Sequence, residues 1–496
     1  MIGSAKQALR KDIAMARTHA LAATPLCELL GCCHPLILAG MGGVARAELV
    51  AAVSAFGGFG ILGMVREPLA LIEREVARVR ELTDRPFGVN LIPSGTARSL
   101  LRSQVDLCIA LRVPVVELFW EIDEEVIDRL RAAGITVVHQ VGTVHEALHA
   151  QAAGAHAIIA QGVEAGGHVR GREPLLRLLP EVLGCVDVPV AAAGGLADGR
   201  DVGRVLAAGA QAAVLGTALM MTTESFAHEA HKQRLVQAAS RDVLLTEDFH
   251  INWPPLAAVH VLPNAVTRGE RGDPFTSERQ VIGEEEGRPI YCFSTDSPLR
   301  SMTGELDVMA LYAGLGVGRI DDIVPAAVRL QRIAEGAAAQ LRLVAETPGA
   351  LASPVCYAAE VQQGEQAALA SEAHALLLLE RAAVLGVFGA WRHAAQVQRR
   401  QCLQRLLDAQ ARGCAVLVRA LRSADASLPE GGRHEDACAS SGFESAQALQ
   451  RLRGDLDERW DALLPRLDAA LAAEARQALE ARTSAWDGLA QQLQRV

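Results

Sequence analysis

The stretch with the most chemical potential is Gln161-Gly162-Val163-Glu164-Ala165-Gly166-Gly167-His168-Val169-Arg170-Gly171. Its four glycines, Gly162, Gly166, Gly167 and Gly171, suit backbone pressed close against something. An imidazole among them can exchange protons near neutral pH. A histidine on a loop is often a plain surface residue. Set between glycines directly after an apolar run, His168 is the candidate catalytic residue.

Two later turns carry the composition of a phosphate site. Ala193-Gly194-Gly195-Leu196 is followed by Asp198 as a candidate helix cap, and Leu215-Gly216-Thr217 ends the next apolar run. Without Cβ atoms the backbone approaches an anion closely and its N–H groups can point at it. Either pair alone is explained by a tight turn; two at the ends of consecutive late strands favour phosphate. Ala39-Gly40-Met41-Gly42-Gly43 is bare enough to lie along a planar ring, and it also reads as a simple strand-to-helix turn. Asn90 and Gln140 stand near the ends of two further runs. An amide there can donate to ring oxygens or accept from ring N–H groups, and it can equally cap a loop.

Other patterns point away from function. His145-Glu146-Ala147-Leu148-His149 spells a zinc-protease motif on a helix. With Val144, Ala147 and Leu148 read as the face packed on the sheet, the histidines fall away from the catalytic rim and no third ligand is named. No Glu-x-x-His occurs after Ala350, so no metal is expected. The net charge of -10 and pI near 5.8 argue against nucleic acid as a partner. Ten cysteines without a Cys-x-x-Cys pair suggest free thiols and a reducing, cytoplasmic setting. The most apolar stretch, 375–391, is interrupted by Glu380-Arg381, so no membrane span is expected.

The elements that must position these residues follow from periodicity. Eight largely unbroken apolar runs, Pro35-Leu38, Gly58-Leu62, Phe87-Leu91, Val115-Phe119, Thr136-Gln140, Ala157-Gln161, Pro189-Ala193 and Ala212-Leu215, alternate with amphipathic stretches. Unbroken runs suit parallel strands buried on both faces. The helices are read as 45–56, 68–82, 123–133, 143–153 and 198–208, with Gly134, Gly154 and Gly209 at left-handed C′ positions. Eight such repeats predict an α/β fold of the (β/α)8 barrel type; a doubly wound open sheet is the runner-up. From Thr222 to Thr303 the pattern fails amid Pro and Gly, as in a lid-like insertion. Helical character returns at 305–312 and 322–344. The expected domains are an N-terminal helical extension (1–23), a barrel (24–347) carrying the 222–303 insertion, and a C-terminal all-α bundle (355–496) beyond Pro348-Gly349.

In this order the motifs resemble the nitronate monooxygenase family over about Thr24 to Ala345. The matching text is Ala39 to Gly43, Gly88-Val89-Asn90-Leu91, His139-Gln140-Val141, Gln161 to His168, Ala192 to Gly195, Gly216-Thr217 and Tyr312-Ala313-Gly314. The resemblance implies an FMN-dependent barrel enzyme that oxidises alkyl nitronates with O2 to a carbonyl compound and nitrite. It implies His168 as catalytic residue. It implies flavin contacts from Met41, Gly42, Asn90, Gln140, Gly166, Gly194, Gly195, Gly216 and Thr217. Relatives often carry Gln where this chain has Leu315, which removes a polar group near the site. An NAD(P)H-dependent flavin reductase acting on quinones or enoyl thioesters is the alternative activity. A bundle that joins the enzyme to a protein partner or to a second copy is compatible with either.

Overall fold

The computed structural model describes residues 21–346 apart from 255, 256, 273 and 276. The helical bundle expected over 355–496 and its Pro348-Gly349 boundary lie outside the described residues, as does nearly all of the 1–23 extension.

Eight strands form one parallel sheet: β1 (Leu36–Leu38), β2 (Gly60–Gly63), β3 (Phe87–Leu91), β4 (Val115–Phe119), β5 (Thr136–Val141), β6 (Ala157–Gln161), β8 (Val190–Ala193) and β9 (Ala212–Leu215). Their spatial order is β1-β9-β8-β6-β5-β4-β3-β2. A parallel bridge between Ile37 and Phe59 joins the two ends, so the sheet closes into a barrel. Closure removes the unpaired edges and leaves nearly every strand residue buried, which is why the runs are apolar without alternation. Ile37, Phe59, Ile61, Val115, Val138 and Ile159 meet the small residues Ala157, Ala191, Ala193 and Ala212 inside. Leu26 and Leu30 of α1 (Pro25–Leu30) belong to the same cluster and close its lower end. Thr24 secures that helix, its side chain accepting from Cys27 N and donating to Gln211 O.

The outer helices begin and end where local chemistry dictates. Asp123, Thr143 and Asp198 cap α5 (Glu124–Ala132), α6 (Val144–Ala152) and α8 (Gly199–Ala207) by accepting from Val126, Glu146 and Asp201. Each such cap contributes about 1 kcal/mol. Gly134, Gly154 and Gly209 take φ of 76°, 96° and 104°, the left-handed backbone expected of them.

The 222–303 excursion is more ordered than its Pro and Gly content suggests. It contains α10 (Glu229–Gln237), β10 (Leu244–Thr246), β11 (Val259–Val261), β12 (Val281–Glu285), β13 (Arg288–Tyr291) and β14 (Thr303–Gly304). These strands are short and partly exposed, so they lack the long apolar periods that announce a strand. Two smaller sheets result, one of β10, β11 and a strand at Gly167–His168 called β7, the other of β13, β12 and β14. β7 (Gly167–His168) lies within the glycine loop, so the excursion pairs directly with the candidate catalytic segment. Helix over 305–312 is a correction: one 3-10 turn forms at Leu306–Val308, and then the chain runs extended. There Asn264 Nδ2 donates to Met309 O, and Leu262 N to Leu311 O, in place of intrahelical bonds. Helix returns as α11 (Ala326–Glu346).

Candidate active site

A cavity of about 1500 Å3, its mouth included, opens at the C-terminal ends of the barrel strands. Parallel strands bring all their C-termini to one rim, so residues far apart in sequence converge there. Met41 and Gly42 enter from the β1 loop, Asn90 from β3 and Gln140 from β5. Gly166 and His168 enter from the loop after β6, and Gly194, Gly195, Gly216 and Thr217 from the turns after β8 and β9.

Three of these glycines are required by space or by backbone angle, whereas Gly216 has room for a Cβ. A Cβ on Gly166 would lie 2.5 Å from Gly314 N, so this loop and the Tyr312-Ala313-Gly314 segment touch backbone to backbone. Gly194 and Gly195 hold φ of 128° and 64°, which side chains resist. Thr217 Oγ1 accepts from Gly314 N at 3.0 Å, locking the same segment. Glu164 is a support: its carboxylate accepts from Leu175 N at 2.9 Å and its carbonyl from Leu315 N at 3.0 Å. Leu315 itself is not among the cavity-lining residues.

His168 is held from both sides. It pairs antiparallel with Val259 of β11. The Gln161 side chain donates to His168 O at 3.0 Å and accepts from Arg170 N at 3.1 Å, gripping β7 on either side of Val169. The imidazole stacks on Trp253 with centroids 3.6 Å apart, and Trp120 meets it edge-on at 5.9 Å. The residue as a whole is half-buried, yet its Nε2 is buried and has no hydrogen-bond partner. Burial, and then the Arg66 charge, hold its pKa well below the usual imidazole range. The neutral imidazole is therefore favoured at physiological pH, and the residue lines the cavity.

The surroundings of His168 store strain. Arg66, Trp120 and Asn252 take φ of 57°, 80° and 73°, conformations that non-glycine residues avoid. Arg66 donates to Asn252 O at 3.1 Å and to Asp296 Oδ1 at 3.3 Å, tying the β2 loop to the excursion. The Arg170 guanidinium sits 5.0 Å from the Trp120 ring centroid. Tyr312, its hydroxyl pKa raised by burial, donates to Thr295 O at 2.7 Å. Nearby, buried Arg46 bonds Glu285 of the β12–β13 hairpin at 3.2 Å, and Arg288 reaches Glu67 at 3.2 Å. Burial and the Glu67 charge push Glu285 up to about 7.

The zinc-motif helix needs a correction. Val144 and Ala147 are buried as expected, but His145 and Glu146 are buried with them while Leu148 is half-exposed. The first turn of α6 points back toward the rim, because helices start where strands end. Glu146 accepts from Gly142 N at 2.9 Å and from Arg170 Nε at 2.5 Å, and His149 meets Glu124 at 3.1 Å. Glu146 thus steadies Arg170 and, through Trp120, the wall beside His168. No cluster of three metal-ligating side chains occurs among the described residues.

Comparison with known proteins bears on this constellation. The family model for nitronate monooxygenase matches residues 23–99 and 95–335. The chain belongs to the nitronate monooxygenase family. Within or near it, the chain is 34% identical over 268 residues to a probable nitronate monooxygenase of Staphylococcus haemolyticus, covering 45% of this chain and 75% of that one. It is 36% identical over 223 residues to a (3aS,4S,5R,7aS)-5-hydroxy-7a-methyl-1-oxo-octahydro-1H-indene-4-carboxyl-CoA dehydrogenase of Rhodococcus jostii. That match covers 45% of this chain and 62% of the dehydrogenase, less than two thirds of its length. Among solved structures, a nitroalkane oxidase from Streptomyces ansochromogenes superposes with TM-score 0.54 and 31% identity, over 64% of this chain and 99% of that one. No described helix is long and apolar enough to cross a membrane.

Sequence reading missed several residues of this cavity and its wall. Glu117 was recoverable: a carboxylate inside Val115-Val116-Glu117-Leu118-Phe119 is out of place in a buried strand. Trp120, one residue later, stood at a strand end and could have been noted. Trp253, Arg66 and Asp296 had no such signal, since they come from loops whose placement depends on the excursion.

Proposed function

We propose that the protein is an FMN-dependent oxidoreductase that oxidises alkyl nitronates with O2. The observation that carries this reading is His168, whose buried Nε2 lacks a partner, lining the same cavity as the glycine turns. The cradle suits a flavin: bare backbone at Gly194, Gly195 and Gly216 for a phosphate, polar atoms from Asn90 and Gln140 for ring edges, and a further unpartnered buried atom, Asn90 Oδ1. With one such phosphate cradle, FMN fits better than a dinucleotide. When bound, the flavin would supply the electron acceptance that protein side chains lack.

The chain's own residues would do the rest. His168 would hydrogen-bond the nitro oxygens of the substrate, and Trp120, Trp253 and Tyr312 would exclude water from around them. Held neutral by burial, His168 has a free ring nitrogen that would take the carbon-bound proton when a neutral nitroalkane is offered. A nitronate arrives without that proton and would need only the hydrogen bond. Bound negative charge beside the ring would in turn raise its proton affinity.

A second reading, an NAD(P)H-dependent reductase acting on quinones or enoyl thioesters, draws support from the similarity to the carboxyl-CoA dehydrogenase. Anaerobic mixing of the purified yellow protein with propionate 3-nitronate and, separately, with NADH and NADPH distinguishes the two. Flavin reduction by the nitronate and not by the nucleotides is expected. Rapid bleaching by NADH or NADPH alone would overturn nitronate oxidation. Heat release and chromatography should identify FMN; finding FAD would sink the cofactor assignment.

A further inference from the structure

Asn90 and Glu117 are direct cross-strand partners in the register of β3 and β4. The Asn90 amide donates from Nδ2 to Glu117 Oε2 at 2.5 Å. Its other end, Oδ1, is buried and has no hydrogen-bond partner. Both residues line the cavity. The β1 loop has been stripped to admit them: a Cβ on Gly40 would lie 2.4 Å from Asn90 Cβ and 2.8 Å from Glu117 Oε2. Three adjacent elements therefore converge on one amide–carboxyl pair.

A carboxyl is a poor choice for packing at this position. Glu117 is 3% exposed in a strand whose other members are Val, Leu and Phe, and an apolar residue there would avoid the desolvation cost. The influences on its charge are burial, which raises the pKa to about 8, and the Asn90 bond, which lowers it. No cation is among them. What Glu117 does provide is the oxygen Oε2 that accepts from Asn90 Nδ2. With that bond made, Oδ1 is the end of the two-ended amide left over, and ionisation of Glu117, which removes its one donor, would strengthen the preference.

We propose that Glu117 is a positioning residue that turns the carbonyl oxygen of Asn90 toward the cavity, where it accepts from a ring N–H of the flavin. The inference rests on the flavin reading above. Without Glu117 the amide can rotate and present its N–H groups to a ring N–H, donor against donor. The pair thus discriminates a ring edge that carries an N–H from one that does not.

The test is the affinity of the apo-protein for FMN, followed by quenching of flavin fluorescence, together with the absorption maxima of the bound flavin. Glu117→Leu should weaken FMN binding by about 10- to 100-fold, the usual consequence of disordering one buried hydrogen bond. Glu117→Gln should stay within about 3-fold of the parent, because its amide oxygen still accepts from Asn90. A Glu117→Leu/Asn90→Ala double variant should bind no worse than Asn90→Ala alone, since Glu117 acts through Asn90. Unchanged affinity and spectrum in Glu117→Leu would overturn the proposal, as would multiplying losses in the double variant. Should Leu at 117 prevent folding, Glu117→Gln decides alone: a loss above about 10-fold means that the carboxyl itself, not amide orientation, is what matters. A parent protein that binds no flavin is a separate outcome and removes the flavin reading instead.

Discussion

The two halves of the cavity are built differently. The barrel half is backbone and short side chains: the glycine turns after β8 and β9, the bare β1 loop, and the amides and carboxyl of Asn90, Glu117 and Gln140 on buried parallel strands. The excursion half is made of side chains of varied size, Trp253, Arg288, Asp296 and Ser297, on short strands and loops joined to the barrel by ion pairs and by Arg66. A rigid floor suits an invariant cofactor, because every turn of the enzyme needs the same ring in the same place. A wall of side chains on loops suits a substrate that differs between related enzymes, because such side chains change without disturbing a barrel. His168 sits at the seam, on a barrel loop but paired to β11 and stacked on Trp253.

The comparison breaks most visibly through the glycines. Gly166→Ala places a methyl 2.5 Å from Gly314 N, a backbone contact that cannot yield locally. FMN affinity should fall at least about 100-fold, from more than 2 kcal/mol of overpacking strain. Trp253→Ala should leave FMN affinity within about 3-fold. Equal losses in the two variants, measured by fluorescence titration, would abolish the division into halves.

At the seam, His168→Asn retains some hydrogen bonding and removes the titratable ring. FMN affinity should hold, while turnover of neutral nitroalkanes falls by roughly 10²- to 10⁴-fold, the range for lost acid–base catalysis. Preformed nitronates should suffer less, since their proton has gone. Steady-state rates on both substrates read this; matching losses would assign His168 to binding geometry, and no loss with FMN bound would remove it from the mechanism.

On the excursion side, Trp253→Ala deletes a stacked ring worth about 0.5–1.5 kcal/mol beyond its burial. KM should rise about 3- to 10-fold with little change in kcat. The opened ring face should also let water reach His168, so the acid limb of kcat/KM should move to higher pH. An unmoved limb would mean that the stack does not desolvate the imidazole.

The smallest effect is on stability. Burial holds His139 at about 4, His145 at about 3 and His231 at about 4, below the ordinary 6.5. The unfolded chain takes up these protons first, so their contribution is lost as pH falls below about 6.5. Glu117 at about 8 and Glu285 at about 7 act in reverse: from 4.5 upward the folded chain keeps a proton that the unfolded chain has released. The histidines make stability climb as pH rises toward about 6.5, and the two carboxyls oppose that rise. The Glu117 share is read by difference: the Tm of Glu117→Gln relative to the parent should rise between about pH 5 and 8, because the variant loses the proton-linked stabilisation that fades as pH rises. A Tm difference that does not change with pH would contradict that assignment.

Much of the barrel was legible in the residues. The runs from Pro35 to Leu215 locate all eight barrel strands because parallel strands covered on both faces must be apolar throughout. Gly134, Gly154 and Gly209 announced helix ends because few other residues accept their φ. The rim residues Asn90, Gln140, Gly194 and Gly216 stood out because polar or bare positions at the ends of apolar runs need a reason. The excursion was not legible. β10 to β14 are two to five residues long, and their order comes from Arg46, Arg66 and Arg288 reaching partners more than two hundred residues away in the chain.

By itself, then, the sequence determined the periodic part of the molecule: strand and helix identity, the rim to which glycines and amides must come, and the loop that bears His168. Those are local properties, set by hydropathy period and allowed φ, and a neighbour in space cannot easily change them. Tertiary structure alone decided what faces what. It laid Trp253 on His168, turned His145 and Glu146 inward where Leu148 was expected, and set Glu117 opposite Asn90 across two strands. Such pairings depend on register and closure, which arise when the eighth strand meets the first and are carried by no single segment of the chain.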